Sequence, residues 1–410
     1  MKIGYIMQAG VPDVRLIPPS GPANHVRQVF KELVNLGHQV RMLVVFNKQI
    51  LKSDDLEHFE TVHVRWFDDA LPHIFERLVR RIQFELKLPY VALFESLRFA
   101  QACIQELYQY DLLYERLGWL GYGGALASRR IGIPLVLEVN GDHLSEFEFL
   151  GLDLGGIQRW LSITLMKRAA HTAARVVATG EGWRQRFIER WEVNPDKVIL
   201  VENGSEIVNL LSRDQLRCFQ TQNCANKQIT LIYIGAFEPW HGLQILIRSA
   251  ASLLAQGLPL HLLLVGSGTV SKELEQLVHE LTIDPYITFT GQLATQQISN
   301  LLANADIGLS PYCGRAEYSG LKILDYKAAG LAIIASGEYG QPAVIDHGRT
   351  GWIVPPCDEM ALRQAIFELA SDEKKRIQLG QEARREAERF HSWKHTAREI
   401  ESLLTEIAGV

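Results

Sequence analysis

At 410 residues, with 47% hydrophobic and 22% charged side chains, the chain is too long for one ordinary core. Two domains of about 200 residues each are the natural expectation. The net charge of −5 at pH 7 argues against a general nucleic-acid binder, which usually carries a basic surplus. The five cysteines are odd in number, far apart and without zinc spacing, so they read as reduced thiols. No apolar stretch is long enough to span a bilayer, and the protein reads as cytoplasmic.

Strand-like and helix-like patterns alternate from the start. Lys2–Met7 is a short apolar run that stops at Gln8, better read as a buried strand than a signal sequence. Gly21-Pro22-Ala23 opens a helix whose Val26, Val29, Phe30 and Leu33 fall at helical spacing, and Gly37 ends it. Gln39–Phe46 is the next strand, and residues 60–67 alternate like another. In 73–88, Ile74, Phe75, Leu78, Val79, Ile82 and Leu86 form one stripe with Arg77, Arg80, Arg81 and Lys87 around it. Such a helix either packs its stripe on its own domain, the reading preferred here, or lies on the inner face of an anionic membrane. Residues 111–115, 134–139, 175–178 and 197–201 complete the strands of the first half.

The polar stretch 205–228 lacks any strand pattern and reads as the interdomain connection. The rhythm then restarts, with apolar strands at 229–234, 260–265, 287–290, 307–310, 332–335 and 351–354. Lys374–Phe390 and Trp393–Ile407 read as terminal helices. This βαβ alternation demands parallel strands with covering helices. It predicts an α/β chain with a Rossmann-like domain over 1–204, another over 205–390, and a terminal helix over 391–410 that crosses back toward the first.

In such sheets ligands, phosphates above all, bind where helix starts meet strand ends. Several of these corners carry glycine: Gly21, Gly235 with His241-Gly242, Gly266-Ser267-Gly268, and Gly320. The last lies in Glu317-Tyr318-Ser319-Gly320-Leu321-Lys322-Ile323-Leu324-Asp325, with Ser319 as a suitable N-cap and Gly330 as a stop. Asp325 falls roughly 8 Å along the helix from its cap. Two acids thus flank helix-start amides. That arrangement suits a ligand with a diphosphate in the middle and hydroxylated sugars at both ends.

The Glu317…Asp325 segment, followed by Tyr326-Lys327-Ala328-Ala329-Gly330, resembles the Glu-x7-Glu motif of family 4 of the retaining glycosyltransferases. The resemblance extends through Gly235…Gly242, Leu263–Gly268, Ile287–Gly291, Ala305–Pro311 and Gly348–Pro355. In the first half it includes Tyr114-Glu115-Arg116, Pro134–Asn140 and Glu202-Asn203-Gly204. It implies the GT-B architecture, two Rossmann-like domains facing a cleft. It also implies a nucleotide-diphosphate sugar donor, a hydroxylated acceptor (glycan, lipid-linked or small molecule), retention of configuration, and no metal or other cofactor. By that likeness Glu317 faces the transferred sugar, the amides of Ser319, Gly320 and Leu321 face the diphosphate, and Asp325 faces the ribose. Gly21, Gly235 and Gly266 approach the donor, main chain at Gly291–Leu293 reads the base, and Asn140 with His143 occupies the acceptor side as catalytic residues.

The chain departs from the family's pattern at three places, one of them Asp325, which is one methylene shorter than the usual Glu. Ala236 and His241 stand where basic residues are common, so His241 is either a phosphate contact or a plain helix-start histidine. Lys322 either supplies the missing charge or points to solvent. Asn140 replaces a frequent histidine and cannot take up a proton, which leaves that task to Asp142, His143 or the donor phosphate. Alternatives are a nucleotide-sugar epimerase or hydrolase on the same scaffold and a catalytically weak sugar-binding subunit. A nicotinamide dehydrogenase is disfavoured, because no GxGxxG follows the first strand.

Overall fold

In the computed structural model the chain divides into two compact units, one of residues 1–201 with 397–410, the other of 202–396. The described residues are all but 10–11, 66, 69, 87, 142–143, 145–154, 213–227, 314–319, 338–341 and 410, with the side chains of 70–73 also excepted.

The first unit runs β1 (Lys2–Met7), α1 (Gly21–Asn35), β2 (Gln39–Phe46), β3 (Gln49–Ser53), β4 (Glu60–Thr61), α2 (Ala70–Glu85) and α3 (Leu93–Leu107). It continues with β5 (Leu112–Arg116), α4 (Gly123–Ile131), β6 (Leu135–Val139), α5 (Gly156–Thr172), β7 (Arg175–Ala178), α6 (Glu181–Glu189) and β8 (Val198–Leu200). These eight strands form one sheet in the order β4-β3-β2-β1-β5-β6-β7-β8. Strand β1 lies between β2 and β5, parallel to both, and the direction of winding reverses there. Its residues 3–7 are all buried, the continuous apolar run that a strand covered on both faces requires.

Three expectations change in this unit. Residues 60–67 pair as a strand only over Glu60–Thr61. Val62 and Val64 are buried past the paired residues, with Val62 N–H still donating to Ile50 O at 2.8 Å, so the alternation reported burial more than strand pairing. The strand β3 was not expected. It returns antiparallel from β2 through Asn47-Lys48, both at positive φ (46° and 66°). This is the backbone of a two-residue hairpin without the usual glycine that marks one. The third change concerns α2. Ile74, Phe75, Leu78 and Ile82 remain 46–61% exposed instead of packing on their own domain. The inner face is made by Glu76, Val79, Arg80 and Gln83, which are all partly buried.

The second unit runs α7 (Ile207–Leu210), β9 (Ile229–Ile234), α8 (Leu243–Ala255), β10 (Leu260–Val265), α9 (Ser271–Glu280), β11 (Ile287–Gly291) and α10 (Thr295–Ala303). Then come β12 (Ile307–Ser310), α11 (Leu321–Ala328), β13 (Ala332–Ser336), β14 (Trp352–Val354), α12 (Glu359–Ser371) and α13 (Glu373–Phe390). Its six strands are parallel, in the order β11-β10-β9-β12-β13-β14, so winding reverses between β9 and β12. Along β9, Leu231 and Tyr233 enter one apolar layer and Ile232 and Ile234 the other, the period-two split of a sheet covered on both faces.

The last helix, α14 (Trp393–Ala408), belongs to the first unit from Ala397 onward. Ile400 and Leu404 are buried, Glu401 meets His38 Nε2 at 2.8 Å, and Glu406 meets Arg175 at 3.0 Å. The reading of all cysteines as reduced thiols is corrected. Cys313 and Cys357, 44 residues apart, form a disulfide with Cα atoms 4.8 Å apart. One follows β12 and the other β14, and sequence spacing carries no sign that these two strand-end loops adjoin. Cys103 is a buried free thiol, and Cys218 and Cys224 lie outside the described residues.

Candidate functional site

In the second unit the candidate donor residues gather at the carboxyl edge of the sheet, around the reversal between β9 and β12. That is where open α/β sheets leave a crevice. Gly235 follows β9, Gly266 follows β10 and Gly291 ends β11. Gly235 N–H donates to Val265 O at 3.0 Å, and Gly266 N–H donates to Gly291 O at 2.9 Å. A Cβ at Gly266 would overlap the carbonyl oxygen of Gly235, so these strand ends approach only because a side chain is missing. Leu293, two residues past β11, packs partly into the core.

Beside them stands a polar and aromatic cluster. His241 is buried after β9, with Nδ1 on Ala236 O and its ring 4.8 Å from that of Tyr312. Lys322 does not reach into solvent. It is buried in the first turn of α11, Nζ donating to Tyr312 Oη at 3.0 Å and lying 4.4 Å from the Tyr312 ring centroid and 5.3 Å from that of Tyr233. Neighbouring Gly235 has room for the lysine stem, because a Cβ there would stand 3.2 Å from Lys322 Cε. His241, Lys322 and Gly235 therefore form one constellation. Tyr312, which sequence reasoning passed over, joins the first two.

Helix α11 begins one residue later than expected. Its cap is Gly320, at φ +59°, with no side-chain hydrogen bond. Ser319, expected as the cap, lies with Glu317 outside the described residues. Among the described residues the first intrahelical bond runs from Leu324 N–H to Gly320 O, at 2.9 Å. The amides of Leu321, Lys322 and Ile323 precede it and have no helical acceptor among the described residues, the usual condition of an anion-binding helix start. Asp325 sits deep within the fold while keeping some solvent contact, and burial pushes its carboxyl up to about 7, against the Ser205 bond that lowers it. Its Oδ1 accepts from Ser205 Oγ at 2.6 Å, a partner that spacing did not suggest.

In the first unit the candidate residues, Gly21 for the donor and Asn140 for the acceptor, also lie at a carboxyl edge. Gly21 is the exposed first residue of α1, and Asn140 directly follows β6. His143 and Asp142 lie outside the described residues. Asn140 is tied to a residue assigned no role from sequence, Glu138. That carboxylate is wholly buried and accepts from four groups: His25 Nε2 at 2.8 Å, Tyr114 Oη at 2.6 Å, Arg116 Nη1 at 3.2 Å and Asn140 Nδ2. Burial by itself raises its pKa, but His25, Arg116 and Tyr114 outweigh it and hold the group at about 2. The signal was present in the sequence. A carboxylate inside the otherwise apolar run Leu135–Val139 must be paired if it is buried. Asn140 Nδ2 donates one of its two hydrogens to Glu138, and its Oδ1 is the acceptor of the side chain.

Comparison with known proteins agrees with this anatomy. Residues 20–204 match the family model described as a glycosyl transferase 4-like domain, and residues 214–386 match that of glycosyl transferases group 1. A D-inositol 3-phosphate glycosyltransferase of Nocardioides sp. is 25% identical over 72% of this chain, and one of Rhodococcus erythropolis is 25% identical over 70%. The matches span 67% and 66% of those relatives' own lengths. Among solved structures, Anabaena HepE in complex with UDP superposes with TM-score 0.71 at 19% identity, covering 99% of this chain and 100% of that one. Sucrose-phosphate synthase of Thermosynechococcus elongatus does so with TM-score 0.73 at 19% identity, covering 100% and 99%. Two parallel-sheet units, each carrying its polar residues at the carboxyl edge, and two family models that together span most of the chain make it a member of glycosyltransferase family 4 with the GT-B fold.

Proposed function

We propose that this glycosyltransferase moves a hexose from a uridine-diphosphate sugar to a hydroxyl acceptor, with retention and without a metal. The single observation carrying the donor half is the convergence of Gly235, His241, Lys322 and the start of α11 at the sheet reversal of the second unit. When the sugar leaves, charge develops on the diphosphate. The Lys322 ammonium and the first amides of α11 are preorganised to receive it, which assigns to the protein the work that a metal does elsewhere. UDP as the carrier is supported by its presence in the HepE complexes, one of which holds UDP-glucose.

In this reading Glu317 and Ser319 flank the donor, Asp325 offers its Oδ2 to the ribose while Ser205 keeps Oδ1, and Gly291–Leu293 faces the base. Asn140 Oδ1 accepts the hydrogen bond of the incoming hydroxyl, and His143 is the second catalytic candidate on the acceptor side.

Titration calorimetry with UDP, with and without EDTA, tests the donor site. The native protein is expected to bind UDP equally in both conditions. Gly320→Val places a branched side chain at positive φ against Val344 and is expected to weaken binding by about tenfold or more. Unchanged affinity in that variant counts against the helix-start site. Glu317→Ala is expected to lower transfer on the order of a hundredfold at unchanged melting temperature. A fully active Glu317→Ala enzyme removes the residue from the mechanism. Release of free sugar or of an epimer without any acceptor would instead favour a hydrolase or epimerase.

A further inference from the structure

We propose that the outer face of α2, continued by the start of α5, is a docking surface for an anionic phospholipid membrane, set beside the acceptor side of the first unit. The exposed apolar residues of α2 are not scattered. Ile74, Phe75, Leu78 and Ile82 share one side of the helix, and Leu86 and Leu88 carry the surface onward. The opposite side is spent on the fold. Arg80 pairs with Glu76 and Glu95, Gln83 Nε2 donates to Pro89 O, and the Phe75 ring edges against Phe94 at 6.2 Å where the two sides meet.

The surface extends beyond one helix. Tyr90 N–H donates to Gln158 Oε1 at 2.6 Å, and Gln158 Nε2 returns a bond to Tyr90 O at 2.7 Å. This exchange seats the first turn of α5 beside the segment that leaves α2, and there Ile157 and Trp160 are 67% and 63% exposed. So many large apolar side chains exposed on neighbouring elements are unusual on a free protein.

Charge selects the occupant. Arg77 and Arg81 stand one turn apart along one edge of the stripe, both exposed, and neither reaches a carboxylate within ion-pair distance among the described residues. Glu85, four residues after Arg81 and also exposed, is an acid on the same side of the helix, at its end. A row of guanidinium groups bordering large apolar side chains, with an exposed indole nearby, is the arrangement by which helices lie in the headgroup region of anionic bilayers. A second protein copy would have to leave those arginines beside its own apolar face.

The surface also leads toward the candidate acceptor residues. The Tyr90 ring lies 6.0 Å from Trp119, and Tyr122 Oη donates to Val91 O at 2.8 Å. Both contacts join it to the loop that follows Arg116, itself a partner of Glu138. An acceptor carried on a lipid would therefore enter the first unit from its own membrane. That last clause rests on the transfer reaction proposed above; the docking surface does not.

Co-sedimentation of the full chain with vesicles tests the proposal. One set is phosphatidylcholine alone, the other half phosphatidylglycerol. The native protein is expected to sediment with the second set at least about tenfold more strongly, and high salt is expected to release it. Phe75→Ser with Leu78→Ser and Ile82→Ser should abolish sedimentation on both sets at unchanged melting temperature and unchanged UDP affinity. Arg77→Glu with Arg81→Glu should abolish the preference for the anionic set. Native protein left in the supernatant with both sets overturns the proposal. So does a concentration-dependent dimer in sedimentation velocity that the triple serine variant dissolves, because the face is then a contact between copies. Failure of UDP to bind, with vesicle binding intact, removes the donor reading and leaves the surface standing.

Discussion

Replacing Glu138 with alanine is expected to lower the melting temperature of the protein on the order of 10 °C and to abolish transfer. The carboxylate is the single acceptor on which His25, Tyr114, Arg116 and Asn140 converge, and it has no exposure to solvent. Removing one partner of such a buried network strands the others. For a buried charge pair that costs about 3–5 kcal/mol. The pH dependence has a defined sign. The folded protein holds Glu138 at about 2, below its ordinary 4.5, so its contribution is fully present above pH 4.5 and is lost as pH falls through about 2. The difference is worth about 3 kcal/mol. Glu138→Gln keeps the volume and removes the charge. It also lets the new amide compete for Asn140 Oδ1, so its loss of transfer should exceed what its loss of stability explains. Thermal unfolding from pH 3 to 7, alongside transfer assays of both variants, checks each part. An alanine variant melting within a degree or two of the native protein contradicts the network.

Glu115 is expected to behave in the opposite way: Glu115→Gln should stabilise the protein by on the order of 1–3 kcal/mol at neutral pH. This carboxyl is buried at the end of β5, and neither oxygen reaches a hydrogen-bond partner in good geometry among the described residues. Burial pushes its pKa up to about 8, offset in part by the amide of Gly124. The folded state keeps a proton that the unfolded chain gives up above its ordinary 4.5. Stability therefore declines as pH rises from about 4.5 to 8 and levels off beyond. Glutamine has the shape of the protonated acid and nothing to lose. The gain on substitution should be small at pH 5 and largest at pH 8, read by denaturant unfolding at both. A gain independent of pH, or a loss, would show that Glu115 is ionised in the fold. Gly124 is bound to the same feature, since a Cβ there would overlap Glu115 Oε2.

Most of the architecture was legible because buried parallel strands are continuous apolar runs. β1, β2, β7, β9, β10 and β12 have the limits that their composition suggests. What escaped was decided by partners distant in sequence. The return of β3 depends on a hairpin whose Asn47-Lys48 lacks the telling glycine. The Cys313–Cys357 bond depends on which loops adjoin, and α2 was misjudged because an apolar stripe cannot say whether anything covers it. At the candidate site the glycine corners of the second unit were readable from local turn chemistry. Lys322 was not, because its place between Tyr233 and Tyr312 is set by two other strand ends. Glu138 was visible as an anomaly, and its four partners were not, because three of them come from elsewhere in the chain.

The assignment of Ala397–Val410 to the first unit has a consequence for biosynthesis. A ribosome releases the chain from its amino end, so the first half emerges early yet waits for Ile400 and Leu404 to finish its interior. The second unit, continuous from Glu202 to Thr396, has all its residues at hand sooner. A stop codon in place of Arg398 would therefore injure the half of the protein made first and spare the unit that ends at Thr396.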